Sequence, residues 1–201
     1  MIDLSSFKGI IFDMDGTLVD SMGRHINAWQ VTCEVFGYPF DADYIHSLGG
    51  VPTLETVEML NAKYNIQNDV EEVAGFKKRA SEKLPDIPML IPDTLAVFNH
   101  YIKSHPISVG TGSDRQHAEW LLSHHNIIDQ LKVLVTADDV KNGKPHPETF
   151  LMAAEAMHVA PEDCVVFEDT EMGQRAALDA GMTCVMVKDG KIVNSLVQPN
   201  T

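Results

Sequence analysis

The sequence predicts an α/β fold. It has a doubly wound, Rossmann-like core with a mostly parallel five-stranded sheet, and a small all-helical cap inserted after the first strand. Three observations carry this reading. Five short segments are almost continuously apolar, as strands are when a parallel sheet is covered on both faces. Helical stretches alternate with the last four of them. A long stretch of helical periodicity, with no convincing strand, separates the first from the second.

The strands are expected at residues 9–13 (GIIFD), 107–111 (ISVGT), 133–136 (VLVT), 164–168 (CVVFE) and 183–187 (TCVMV), each bounded by polar turns. Helices are expected at 115–125, 147–157 and 171–180, completing the β-α alternation. Within the long gap, helical patterns run over 21–36, 53–64 and 70–84, punctuated by Gly37-Tyr-Pro, Gly49-Gly-Val-Pro and Leu84-Pro-Asp-Ile-Pro. The predicted division is a core of residues 1–17 and 86–201 and a cap of residues 18–85, hinged near 18–20 and 83–88. The tail from Gln198 is expected to fray.

A chain of 201 residues can bury one real core plus a small insertion. Its formal net charge is −14, so phosphate backbones and anionic lipid surfaces repel it, and neither nucleic acid nor membrane is expected as a partner. No apolar run approaches the roughly 18 residues of a membrane span, and the N-terminus lacks a signal-peptide pattern. Cys33, Cys164 and Cys184 are too widely spaced for a zinc site or a disulfide framework. The expectation is therefore a cytoplasmic monomer. An anionic substrate would need a local positive device against the global field.

The chemistry concentrates where strands end. Asp13 and Asp15 follow the first strand, Thr111 ends the second, Glu168 and Asp169 end the fourth, and Lys144 precedes the helix between the third and fourth. In open α/β sheets ligands bind beyond the carboxyl ends of the strands, so these residues converge on one crevice. Two like charges ~5 Å apart cost about 3 kcal/mol at an effective dielectric near 20, and several such pairs arise here. A hard, oxygen-liganded cation such as Mg²⁺ answers that repulsion, with Lys144 as a fixed second charge. A carboxylate nucleophile then splits phosphate-ester cleavage into two steps, and a second carboxyl moves the proton. The uncatalysed reaction is so slow that a barrier reduction above roughly 20 kcal/mol is needed. Thr111 and nearby backbone N–H groups can hold the transferring oxygens.

The motifs FDMDGTLVDS, VGTGS, KPHPETF and VFEDTEMGQRAALDAGM resemble, in order, the four motifs of the haloacid dehalogenase-like phosphohydrolases. The resemblance spans the whole chain, with the helical insertion in the place of that family's small cap. It implies Asp13 as nucleophile, Asp15 as general acid and base, and Thr111 and Lys144 as phosphoryl-binding groups. It further implies Mg²⁺ held by the Asp13 carboxylate, the Asp15 backbone carbonyl, Glu168 and Asp169.

Within the family the chain is similar to the β-phosphoglucomutase branch and to bacterial fructose-1-phosphate/6-phosphogluconate phosphatases. The mutases carry an Arg where Thr53 stands and a Lys near Gly49, charges suited to a distal phosphate. This loop has neither, so hydrolysis of a small phosphorylated sugar is expected, with a phosphohexose mutase as the alternative. Gly50, Thr53 and Gly112 are expected to face the substrate. His25 and Trp29 share one face of the first cap helix. His25 is open to a leaving-group role or to cap packing, and Trp29 reads as core. Arg115 is open to a phosphate contact or to a solvated helix start. The run Lys77-Lys78-Arg79 reads as a solvated helix face. An acidic, aspartyl-phosphate signalling module is disfavoured by the order of the motifs and by the cap.

Overall fold

Ile10 and Phe12 point to one side of the first strand and Ile11 to the other, and all three are fully buried. A strand apolar on both sides must lie inside a sheet covered twice. The computed structural model describes residues 2–199 and places that strand third in a six-stranded sheet. Asn200 and Thr201, part of the tail expected to fray, lie outside the described residues. The strands are β1 (Gly9–Phe12), β2 (Ile107–Gly110), β3 (Leu134–Val135), β4 (Cys164–Glu168), β5 (Thr183–Lys188) and β6 (Lys191–Val197). Their order is β3-β2-β1-β4-β5-β6, parallel throughout except that β6 runs against β5.

The sixth strand corrects the expected count of five. Lys188-Asp-Gly-Lys191 forms a tight hairpin, with both Asp189 (φ 49°) and Gly190 (φ 69°) in the left-handed region. An Asp-Gly pair between strands is the standard signal for such a turn. The strand after it, KIVNSLV, lies at the edge of the sheet and has its apolar residues broken by Asn-Ser, so it lacks the continuous apolarity by which the other strands were read.

The core helices are α5 (Pro92–Tyr101), α6 (Arg115–His124), α7 (Glu148–Met157) and α8 (Glu171–Asp179). One face of the sheet packs Phe12, Ile107, Val109 and Phe167 against Phe98 of α5 and Leu121 of α6. The other packs Ile11, Val166 and Cys184 against Phe150 of α7 and Ala176 of α8. Helix α5, with Pro92 in its first turn, was not among the expected elements. Cys33, Cys164 and Cys184 are free and buried. Among the described residues no helix is long and apolar enough to cross a membrane.

Between β1 and α5 lie four helices: α1 (Met22–Phe36), α2 (Ala42–Ser47), α3 (Thr53–Tyr64) and α4 (Val70–Glu82). They bury their own cluster of Trp29, Cys33, Tyr38, Ile45, Val57, Leu60 and Val73, separate from the two sheet cores. The short α2 was unanticipated; Asp41 caps it by accepting from the Tyr44 N–H. The two segments joining this insertion to the sheet are bonded to each other. Asp20 N–H donates to Met89 O at 2.8 Å and Ile91 N–H to Leu18 O at 3.0 Å. The Arg24 guanidinium ties α1 to the returning chain through the carbonyls of Ser81, Leu84 and Asp86.

Candidate active site

The strand order reverses at β1, whose neighbours β2 and β4 lead to opposite edges of the sheet. That reversal leaves a crevice at the carboxyl end of β1. Asp13 enters it directly: its N–H still bonds Phe167 O at 2.9 Å, so the sheet fixes its backbone. Lys144, on the loop before α7, is buried beneath it. Its Nζ donates to Asp13 Oδ1 at 2.6 Å and to Glu168 Oε1 at 2.7 Å. The other Glu168 oxygen accepts from Thr170 N–H (2.8 Å) and Thr170 Oγ1 (2.9 Å), and Thr170 also caps α8. A side chain at Gly173, on the first turn of α8, would collide with the Glu168 carboxylate, so glycine is what lets the helix sit there.

Asp13, Glu168 and Asp169 each bring a carboxylate oxygen within 4.8 Å of the others. Two buried acids and a half-buried third stand against one ammonium, more carboxyl groups than it can pair. Burial pushes the Asp13 carboxyl up to about 8; Lys144 opposes that rise, while Glu168 and Asp15 add to it. Burial, with Glu168 and Asp13, pushes Asp169 up to about 9. Burial alone would lower the Lys144 pKa, but its two carboxylate partners hold it above the ordinary lysine value. An all-oxygen donor set with uncompensated charge fits a hard divalent cation.

Asp15 sits above this cluster and is held from three directions. Its Oδ1 accepts from Ser21 Oγ at 2.5 Å and lies 3.1 Å from His25 Nε2; its Oδ2 accepts from Ser113 Oγ at 2.7 Å. Burial would raise its pKa, but His25, His117 and Ser113 outweigh burial and hold the carboxyl below the usual range. Behind His25 stands Lys77 of α4, its Nζ 3.1 Å from His25 Nδ1. This overturns the reading of Lys77 as a solvated residue: it is 7% exposed. Burial pulls its pKa down to about 8, with Asp15 and Asp114 opposing. The sequence did carry a signal. Val73, Lys77 and Ser81 fall at four-residue intervals on the buried stripe of α4.

A small cavity of about 60 Å³ reaches Asp13 and Asp15 and is lined also by His25, Lys77, Gly50, Thr53, Thr111 and Gly112. Thr111 is buried, and its Oγ1 accepts from Ser113 N–H at 3.1 Å. Gly112 meets the Gly50 carbonyl so closely that any Cβ there would clash, which is where the insertion touches the sheet. A cleft of about 830 Å³ lies alongside, and His25, Thr53, Lys77, Gly112 and Ser113 border both spaces. Arg115 lines neither. Its guanidinium donates to Asp139 Oδ2 (2.5 Å), Glu119 Oε1 (3.1 Å) and Leu134 O (3.2 Å), which corrects its candidacy as a phosphate contact. Trp29 is 5% exposed and belongs to the insertion's core, as read, although one edge reaches the cavity.

An aspartate on the reversal strand, a buried lysine bridging it to a second acid, and a third acid beside them define a crevice built to handle phosphoryl groups. The comparisons with known proteins agree. The family model described as haloacid dehalogenase-like hydrolase matches residues 10–187. The fructose-1-phosphate phosphatase YqaB of Escherichia coli (strain K12) is 36% identical over 90% of this chain and 97% of its own. The β-phosphoglucomutase of Bacillus subtilis (strain 168) is 32% identical over 92% of this chain and 84% of its own. A crystal structure of β-phosphoglucomutase from Clostridium difficile superposes with a TM-score of 0.80 at 25% identity, covering 91% of this chain and 85% of that one. The chain belongs to the haloacid dehalogenase-like hydrolases. It is a phosphoric monoester hydrolase.

Proposed function

We propose that the protein is a Mg²⁺-dependent phosphatase of small sugar phosphates, with fructose 1-phosphate and 6-phosphogluconate the leading substrates, working through an aspartyl-phosphate on Asp13. The observation that carries this reading is Lys144 bridging Asp13 and Glu168 with Asp169 alongside. Lys144 occupies Asp13 Oδ1 and leaves Oδ2 to attack phosphorus. As that bond forms, the bond from phosphorus to the sugar oxygen breaks, and the oxygen takes a proton from Asp15. In the second step Asp15 takes a proton from water, the water oxygen attacks phosphorus, and Asp13 is released.

The carboxylates of Asp13, Glu168 and Asp169, with the Asp15 backbone carbonyl, would hold the ion. When bound, Mg²⁺ offsets charge on the transferring oxygens. Thr111 and Gly112, which line the cavity with Asp13, would hold the transferring oxygens. As found, Asp15 is ionised and anchored, the state suited to a base. To serve as acid it takes the Nε2 proton of His25 while Lys77 passes a proton to Nδ1, which leaves a neutral imidazole and a neutral amine.

Residues 18–85 act as a cap in this reading. The small cavity falls well short of the ~300 Å³ of ordinary ligand pockets, so a sugar must extend into the neighbouring cleft or the cap must swing. YqaB's named substrate motivates fructose 1-phosphate as the first compound to try. The test is phosphate release from a panel of sugar phosphates with Mg²⁺ and with chelator. Equal release by wild type and Asp13→Asn would remove the proposed nucleophile.

A mutase is the second reading, and one observation favours it. Lys77 and Lys78 both border the cleft, so the cap is not without basic groups. Lys77 is engaged by His25 and Lys78 by Asp114 at 3.2 Å, which leaves neither free for a second phosphate. Conversion of β-glucose 1-phosphate to glucose 6-phosphate, dependent on a bisphosphate primer, would reverse the preference.

A further inference from the structure

We propose that Asp15, His25 and His117 form a second metal site, for a borderline transition ion such as Zn²⁺, that switches the enzyme off. One ligand atom from each of the three lies within 4.8 Å of the others. The His25 and His117 rings stand 6.0 Å apart at 89°, edge to face. His117 Nε2 is buried, and among the described residues it has no hydrogen-bond partner. A buried imidazole nitrogen without a partner has given up water for nothing that the protein supplies.

The donor set decides the ion. Two imidazoles and one carboxylate suit Zn²⁺, Co²⁺ or Cu²⁺, whereas the all-oxygen cluster of Asp13, Glu168 and Asp169 suits Mg²⁺. The two sites therefore sort different metals. Tetrahedral ligands at ~2.0–2.1 Å from an ion lie roughly 3.4 Å apart, so side-chain movements of about 1 Å would complete the site. His25 offers Nε2, already 3.1 Å from Asp15 Oδ1; its proton then sits on Nδ1 and donates to Lys77, which gives up one proton to solvent as the ion binds. Water fills the fourth position.

Two consequences follow from where the ligands sit. An ion on Asp15 removes the carboxylate that must carry the proton. Also, His25 belongs to α1 of the insertion, while Asp15 and His117 of α6 belong to the sheet side. The ion would staple cap to core and hold the entrance shut. The inhibition rests on the phosphatase reading above, but the binding does not.

The experiment uses Co²⁺ as a spectroscopic probe on the full chain with Mg²⁺ saturating. Wild type should develop the intense visible bands of a four-coordinate nitrogen-containing cobalt site, erased by Zn²⁺. His117→Phe, which keeps the ring volume, and His117→Ala should lose them. His117→Cys should restore a band, shifted by the sulfur. In parallel, Zn²⁺ should inhibit wild type under saturating Mg²⁺, and His117→Phe should need at least about tenfold more. Identical cobalt spectra or identical Zn²⁺ sensitivity in wild type and His117→Phe would overturn the site and place the ion at the Mg²⁺ cluster. A wild type without phosphatase activity would sink the functional reading, while the cobalt bands would still decide the site.

Discussion

Lys77 Nζ lies 3.1 Å from His25 Nδ1, joining two residues 52 positions apart on facing helices of the insertion. Because an ammonium donates to Nδ1, the His25 proton resides on Nε2, where it faces Asp15 at 3.1 Å. A lysine, a histidine and an aspartate thus form one line of hydrogen bonds from the helical insertion to the acid above Asp13.

This line predicts an alkaline limb in the rate profile. Lys77 loses its proton near pH 8, and with it the donor that fixes the His25 tautomer. Activity should fall as pH rises through that value. Lys77→Met should lower kcat by about tenfold or more and abolish the limb, with a smaller effect on KM. A pH profile of kcat for both proteins checks this.

The acid cluster predicts how stability changes with pH. Asp13 and Asp169 are raised from 3.8 to about 8 and about 9 in the folded chain. Between those limits the folded state binds more protons than the unfolded state, so stability is greatest below the unfolded value and declines as pH rises. Metal-free protein should melt at progressively lower temperature from pH 5 to about pH 8, a trend that Asp13→Asn should flatten. Thermal melts in chelator across that range supply the test.

The same protons compete with a cation. Mg²⁺ should bind more tightly as pH rises over that window and release protons as it does so, measurable by titration calorimetry in buffers of different ionisation enthalpy. Glu168→Gln should weaken Mg²⁺ by at least about tenfold and leave Lys144 less well compensated.

Arg115→Ala should leave KM within about twofold of wild type, because the guanidinium is engaged by Asp139, Glu119 and a β3 carbonyl. Its side chain is 38% exposed, so solvent screening should limit the stability cost to under about 1 kcal/mol. A large rise in KM would return Arg115 to the substrate.

Much of this was legible in the chain itself. Continuous apolar runs located five strands because each is buried on both faces, and the acids after Phe12 and Phe167 had to lie at strand ends since a strand interior cannot hold them. The meeting of Asp13, Glu168 and Asp169 followed from the same logic. β6 escaped because an edge strand has no such run, although Asp189-Gly190 announced its turn. Lys77 escaped because a charged run reads as solvated, and only its four-residue spacing from Val73 and Ser81 told otherwise.

The sequence by itself determined what is periodic or local: five of the six described strands, six of the eight α-helices, the insertion, and the acids and lysine standing at strand ends. Tertiary structure alone decided which groups meet between the helical insertion and the sheet. It brought Lys77, His25 and His117 to Asp15 and turned Arg115 away to Asp139. The reason is physical: burial and helix facing set a side chain's partners, and both depend on how α1, α4 and α6 dock, which no short spacing in the chain encodes.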